Sequence, residues 1–502
     1  MFESLKLKHR MSKADFEENE DELREALIES QLGLLEDADA SIVILLSGLD
    51  MPGRVGAARR LMGWMDSRHI HTYAAVRPSD TDRAHPRLWR FWRELPAKGR
   101  IGLFMTGWYE ELIADHILER IDDATLHHRL EQVRRFEELL VAEGAILLKF
   151  LFYLREDDLK KLARRTRAER ELSFKVSDEN IAISKQILKR SGHVVRLVEQ
   201  VVTETSSHLA PWLPVASDDP HYRDASVCHT LIEAIEGRER RPAGTPAAAA
   251  PAEAAAPPHP APPPKPNILD SLDLGQALAR PVYRRRLAKA QRRLTELTVS
   301  EAFESKALVL AFEGNDAAGK GGAIRRVVQA LDPRMVNVVP IAAPSPAEKA
   351  RPYLWRFWRE VPARGSITVF DRSWYGRVLV ERVEGYASEA DWQRAYGEIR
   401  AFERELEEAG VLVMKFWLAI DAEEQLRRFQ SRESVDYKRY KITDEDWRNR
   451  GKWEAYRQAV HDMVDQTGTA QRPWTLVEAN DKRFARVKVV ESVVHRLERE
   501  LE

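Results

Sequence analysis

The chain alternates short apolar runs with longer amphipathic stretches along most of its length. In its second half, five runs rich in aliphatic and β-branched residues read as strands: 307–312, 336–341, 366–370, 411–418 and 474–477. The segments between them carry apolar residues at helical spacing. The stretch 391–408 is amphipathic and stops at Gly410, a residue suited to the left-handed conformation that closes many helices. Thr443-Asp-Glu-Asp446 has the form of a capping box with a shortened acid, and predicts one long helix reaching about Gln466. Strands separated by helices predict a mostly parallel sheet covered on both faces. Ligands on such sheets bind beyond the carboxyl ends of the strands.

The first half repeats this pattern. Leu88-Trp-Arg-Phe-Trp-Arg-Glu94 returns as Leu354-Trp-Arg-Phe-Trp-Arg-Glu360, an offset of 354 − 88 = 266. The same offset pairs Gly48 with Gly314, Trp108-Tyr109 with Trp374-Tyr375, Lys149-Phe150 with Lys415-Phe416 and Lys175 with Lys441. Pro211-Trp212 then pairs with Pro473-Trp474 at 473 − 211 = 262, so the first copy carries four extra residues before that landmark. A shared register over this span means a duplicated domain. Between the copies, 20 of the 26 residues of 241–266 are Pro or Ala, and the prolines remove backbone donors and predict an extended linker. The organisation expected is a domain over 1–240, a linker over 241–266 and a second domain over 267–502.

Composition narrows the class. Of 502 residues, 79 are Lys or Arg and 80 are Asp or Glu, so net charge indicates neither a nucleic-acid nor a membrane partner. The single cysteine, Cys228, rules out an internal disulfide framework and suits a reducing, cytoplasmic setting. The N-terminal residues lack an apolar signal-peptide core, and no uncharged apolar run approaches the ~20 residues needed to cross a bilayer. The fourteen histidines form no metal-ligand spacing.

The chemistry concentrates in the second copy. Phe312-Glu-Gly-Asn-Asp-Ala-Ala-Gly-Lys-Gly-Gly-Ala-Ile324 follows a predicted strand and opens a predicted helix. Gly314, Gly319 and Lys320 match a phosphate-cradling loop, in which backbone N–H groups and a helix N-terminus face the anion and the lysine adds a point charge. Asn315, Ala317, Ala318, Gly321 and Gly322 complete the candidate cradle. Two departures stand out. Gly321 replaces the usual Ser or Thr that binds Mg²⁺, and Asp316 lies inside the loop. A carboxylate beside phosphates needs a cation between them, so moving the metal ligand to Asp316 explains both. The alternative is that Asp316 caps its own turn.

Downstream, Ile367-Thr-Val-Phe-Asp-Arg-Ser-Trp-Tyr-Gly-Arg377 brings Asp371 to the end of a strand, where a second metal-binding carboxylate is expected. The alternative for Asp371 is a helix cap. Arg372, Arg377 and Arg382 follow as candidate phosphate ligands or as a solvated face. The basic run 427–443 reads as a segment able to close over phosphates, with Arg428, Arg432, Lys438, Arg439 and Lys441 as candidates. The repeated Leu-Trp-Arg-Phe-Trp-Arg-Glu is better read as core packing, since Leu354, Trp355 and Trp358 recur at helical spacing. The basic stretch 284–293 reads as a solvated face.

Carried to the first copy, this chemistry disappears. Lys320 becomes Arg54, Gly321 becomes Val55, Asp371 becomes Met105, Arg372 becomes Thr106, Ser373 becomes Gly107, Arg377 becomes Glu111 and Arg382 becomes His116. Only Asp316 survives, as Asp50. The first copy keeps its packing residues and is expected to be inactive.

Three motifs in order, GNDAAGKGG, DRSWYGR and YKRYKITDEDWRNR, resemble the polyphosphate kinase 2 family, and the resemblance covers most of both halves. It implies an α/β fold of two tandem P-loop kinase-like domains, each a parallel sheet with helices on both faces and a basic lid. The two-copy form resembles the branch that transfers the terminal phosphoryl group of inorganic polyphosphate to AMP, giving ADP. By that resemblance Asp316 and Asp371 hold Mg²⁺ (Mn²⁺ as an alternative), Lys320, Arg372 and Arg377 meet phosphates, and residues 438–441 belong to a lid. A homo-oligomer is expected. A kinase acting on diphosphates, an ATP-dependent nucleotide kinase and a non-catalytic sensor remain the competing readings.

Overall fold

A computed structural model of the chain describes residues 10–74, 77–172, 178–237, 267–433 and 444–501. The 241–266 linker and the lid candidates Lys438, Arg439 and Lys441 lie outside these residues. The chain divides into two compact units, Met1–Ser79, Arg90–Ala252 and Ser345–Trp355 in the first, and Asp80–Trp89, Glu253–Pro344 and Arg356–Glu502 in the second.

The first unit contains α1 (Lys13–Asp37), β1 (Ser41–Ser47), α2 (Met51–Trp64), β2 (Ile70–Tyr73), β3 (Ile101–Phe104), α3 (Glu110–Ile117), α4 (Asp123–Ala142), β4 (Ala145–Tyr153), β5 (Trp212–Ala216) and α5 (Pro220–Glu236). The second contains α6 (Arg280–Thr298), β6 (Ala307–Gly314), α7 (Lys320–Val328), β7 (Val336–Pro340), β8 (Ile367–Asp371), α8 (Glu389–Glu408), β9 (Val411–Ala419), α9 (Ala422–Glu433), α10 (Asp444–Gly451), α11 (Trp453–Thr467), β10 (Trp474–Glu478) and α12 (Lys482–Leu501).

Each sheet has five strands, in the orders β2-β3-β1-β4-β5 and β7-β8-β6-β9-β10, and every pair is parallel. The order is the same in both units. The strand that precedes the glycine loop is central, and the chain crosses from one side of it to the other. That is the switch point at which such sheets bind ligands. All seven residues of β1 and the first seven of β6 are buried, as strands covered on both faces must be. In the second unit Leu308, Leu310 and Phe312 pack with Leu294 and Leu297 of α6, Ile324 and Val327 of α7, and Val490 and Val493 of α12. The repeated aromatic segment is core, as its spacing predicts. Phe357 and Trp358 meet Trp374 and Phe402 edge-on, and Phe91 and Trp92 meet Trp108 and Phe136 in the first unit.

One element differs from expectation. The helix predicted up to about Gln466 is two helices, α10 and α11. Lys452 leaves helical geometry at φ −107° and ψ 28°, next to the poor helix former Gly451, and its ammonium reaches Glu384 at 2.9 Å. The helix that ends before Gly410 is capped as expected, with Gly410 at φ 86°.

Candidate active site

The site of the second unit is assembled on the ends of β6 and β8. Gly314 takes φ 151°, and a Cβ there would lie 2.5 Å from the Leu418 carbonyl oxygen, so only glycine fits. Ala317 at φ 63° and Gly319 at φ 105° turn the loop before α7 begins at Lys320. Alternating handedness of this kind is the backbone pattern of anion-binding loops, although two of these N–H groups are used within the fold, Asn315 bonding Leu418 O at 3.2 Å and Ala318 bonding Asn315 O at 3.0 Å. Gly321 has open space around it, and Gly322 lies against Arg486. Lys320 donates to the Gly314 carbonyl at 2.8 Å, which holds its ammonium over the loop. Asn315 accepts from Ile420 N–H at 3.2 Å and so ties the loop to the end of β9.

Asp316 is held from two sides, by the Asn449 amide at 2.9 Å and the Arg372 guanidinium at 3.4 Å. Neither bond closes its own turn. Asp371 ends β8 level with Phe312 of β6. It is not the cap of the next turn either: Ser373 caps it, accepting from Tyr375 N–H. Arg372 sits at φ 67°, a conformation costing a non-glycine residue on the order of 1 kcal/mol or more, and its N–H bonds Phe312 O at 3.0 Å. Sequence reasoning therefore places Asp316, Lys320, Asp371 and Arg372 together, and the structure does so on adjacent strand ends.

Other candidates have different neighbours. Arg377 pairs with Glu381 at 3.3 Å. Arg382 contacts the Tyr396 hydroxyl at 2.9 Å, Asp462 at 2.8 Å and the Trp392 ring at 4.2 Å. Arg432 is half-buried near the end of α9. Arg428 corrects the reading of the basic run. It is 4% exposed and donates to the carbonyls of Ala317, Ala318, Ala479 and Asn480, so it clamps the loop from behind. Sitting on the buried face of α9, it is no part of a lid.

Three residues escaped the sequence reading. Asn449, near the end of α10, reaches Asp316 at 2.9 Å. Glu313, buried near the end of β6, accepts from Ser373 N–H at 2.7 Å and from the Ser373 hydroxyl at 2.8 Å. Burial pushes the Glu313 carboxyl above its usual range, while Lys320, Ser373 and Arg372 act against that shift. Lys415, fully buried, pairs with Glu403 at 2.9 Å, and the Tyr375 hydroxyl and Trp374 indole also donate to Glu403. Burial pulls the Lys415 ammonium below its usual range. This network anchors the Trp374-Tyr375 turn that follows Arg372. Its signal was present as the paired Lys149 and Lys415 in apolar strands.

The first unit keeps that network: Lys149 pairs with Glu137 at 2.7 Å, and Trp108 and Tyr109 donate to Glu137. Its loop is different. Asp50 caps α2 by accepting from Gly53 N–H and from Ser217, and the helix starts at Met51, three residues earlier than the position matching Lys320. Pro52 adds a ring that suits a helix start and removes an N–H. Arg54, 5% exposed, donates to Leu46 O at 3.2 Å and to Glu110 at 3.2 Å. Glu110 also accepts from Gly107 N–H at 2.8 Å. Anion-binding groups here are satisfied from within. Among the described residues, no cluster of three His, Cys, Asp or Glu could hold a metal, and no helix is long and apolar enough to cross a membrane.

Comparison with known proteins agrees with this geometry. The model of the family described as Polyphosphate kinase 2 matches residues 10–243 and again 277–502. A Polyphosphate:AMP phosphotransferase of Pseudomonas aeruginosa is 47% identical over 500 residues, 98% of each chain. One of Acinetobacter johnsonii is 35% identical over 488 residues, 95% of this chain and 96% of its own. A crystal structure from Pseudomonas aeruginosa PA01, described as a polyphosphate kinase 2, superposes with a TM-score of 0.85 at 45% identity and covers 100% of this chain and 99% of its own.

Proposed function

The chain belongs to the polyphosphate kinase 2 family, and we propose that it transfers the terminal phosphoryl group of inorganic polyphosphate to AMP, giving ADP, in its second unit. The observation that carries this reading is the open loop 314–319 with Lys320, Asp316 and Arg372 around it, in a chain matched end to end by relatives named for that reaction. A relative named ADP-polyphosphate phosphotransferase 2, from Rhizobium meliloti, matches only 44% of the chain, which favours the AMP reading over a diphosphate acceptor.

Phosphoryl transfer asks the protein for in-line positioning and charge neutralisation more than for covalent chemistry. The loop N–H groups and Lys320 hold the phosphate that moves. Arg372 and Arg377 neutralise its oxygens, and Asn449 keeps Asp316 oriented. Arg432, Lys438, Arg439 and Lys441 close over the polyanion and exclude water. Mg²⁺ fits the donor set, because Asp316 and Asp371 offer hard oxygen ligands on adjacent strand ends and a kinase magnesium takes one or two carboxylates with substrate phosphates. When bound, it supplies charge between donor and acceptor phosphates. The buried lone thiol of Cys228 suits a reducing cytoplasm, and copies of the chain are expected to associate.

Incubation with AMP, polyphosphate and Mg²⁺ should yield ADP. Absence of ADP across pH and polymer length overturns the assignment, and faster turnover of ADP or GDP redirects it to the diphosphate reading. Product formed from ATP without polyphosphate points to an ordinary nucleotide kinase.

A further inference from the structure

Position 313 is an unusual place for a carboxylate. It ends an otherwise apolar central strand, is 5% exposed and lies one residue before the glycine that opens the loop. One of its oxygens takes both donors of Ser373, the backbone N–H at 2.7 Å and the hydroxyl at 2.8 Å. Ser373 follows the strained Arg372 and caps the turn 374–378. Asp371 and Arg372 thus stand just before a residue pinned to the loop's own strand.

The duplicated copy shows what this pair is for. Packing residues persist there, including the buried lysine–glutamate network. Glu313 and Ser373 do not: they become Ser47 and Gly107. Both halves of the contact are gone in the copy that lost the lysine and the strand-end aspartate, which become Arg54 and Met105. The Ser47 hydroxyl is left buried without a hydrogen bond. The turn N–H that Glu313 would have received goes to Glu110, three residues on. A contact needed for folding would have been kept with the rest of the packing.

We propose that Glu313 is a positioning residue for phosphoryl transfer, fixing through Ser373 the turn that presents Asp371 and Arg372 to the substrate phosphates. It works from within the strand, as a buried acceptor for Ser373. Its negative charge also offsets Lys320 and Arg372 when the site is empty.

The proposal rests on the second unit being the seat of transfer, and the wild-type chain with AMP, polyphosphate and Mg²⁺ tests that first. No ADP from wild type is a failure of the function, not of this inference. In an active protein, Glu313→Gln keeps the shape and loses the charge, and Ser373→Ala keeps the N–H and loses one bond. Expected are a fall in kcat of about tenfold or more for Glu313→Gln and a smaller fall for Ser373→Ala, with KM for polyphosphate changed less than about threefold. Melting temperatures should stay near wild type, and the double variant should lose little beyond Glu313→Gln because both act through one contact. Wild-type kcat in Glu313→Gln overturns the proposal, as do losses that only track a lowered melting temperature, or additive losses. If Glu313→Gln does not fold, the kcat and KM of Ser373→Ala decide by the same criteria.

Discussion

Gly48 and Gly314 make the same demand in the two units. Each has positive φ, and a Cβ on either would lie 2.5 Å from a carbonyl oxygen of the neighbouring strand, Phe152 or Leu418. From there the units part. In the second, the chain stays non-helical to Gly319, and the helix begins only at Lys320. In the first, Asp50 caps at once and the helix absorbs the cradle. The anion-binding power of a glycine loop therefore lies in residues that delay the helix, and one glycine at the strand end is not enough. Arg54 illustrates this: burial pulls its guanidinium below its usual range, against the opposing pull of Glu110 and Asp50. It retains a charge and has no room to offer it.

The widest gap between the units should appear on removing the loop cation. Lys320→Ala is expected to lower turnover by about 100- to 1000-fold or more, since a preorganised charge on the transferring group is lost. Arg54→Ala should leave turnover near wild type while weakening the first unit, because it removes the cation paired with Glu110 and leaves only the Gly107 N–H bond. Steady-state ADP formation with a thermal melt separates the two effects, and equal losses of turnover break the one-site picture. Next comes conversion of one unit toward the other. Gly376 corresponds to Glu110 and has no atom within 3.8 Å of a Cβ placed on it. Gly376→Glu should fold, offer Lys320 an internal carboxylate and cut turnover by about 100-fold. Full activity in that variant would show that Glu110 is not what fills the first unit's site.

Where the units agree, effects should agree too. Lys149→Met and Lys415→Met each leave a buried glutamate unpaired, which costs about 3–5 kcal/mol. Denaturant unfolding should show similar losses, and only Lys415→Met should also impair ADP formation, because Trp374-Tyr375 anchors the active turn. A Lys149→Met variant as stable as wild type would break the idea of a shared scaffold.

The duplication, the strand positions and the loop–turn pairing were legible because they rest on local pattern: each predicted strand is found within two residues of its expected ends. What escaped depended on depth. Glu313 sits at the end of an apolar run, and nothing in the run tells that its carboxylate turns inward to Ser373. Arg428 looked like its basic neighbours, but helical phase buries it behind the loop while Arg427 faces water. Asn449 sits among basic neighbours, and nothing in its spacing tells that its amide reaches Asp316. Asp316 and Asp50 carry the same letter and opposite roles, and only the residues after them, Ala-Ala-Gly or Met-Pro-Gly, decide which.

The smallest effect is a matched control. Asp66 and Asp332 share the 266 offset and each accepts a two-pronged contact from an arginine two residues on, Arg68 or Arg334, at 2.6 Å for the shortest bond. These side-chain hydrogen bonds lower both carboxyls from 3.8 to about 2. A carboxyl whose folded pKa is depressed stabilises the fold fully above its unfolded pKa. That contribution fades as pH falls from about 4 toward 2. Both pairs are exposed, so the stability at stake is small and salt should screen it. The clean readout is the carboxyl titration itself, followed by NMR. Arg68→Ala should return Asp66 toward its ordinary value and leave Asp332 alone, and Arg334→Ala should do the reverse. If either aspartate already titrates near 4 in the wild-type chain, the pairs are not matched and the two units differ in surface electrostatics as well as in their loops.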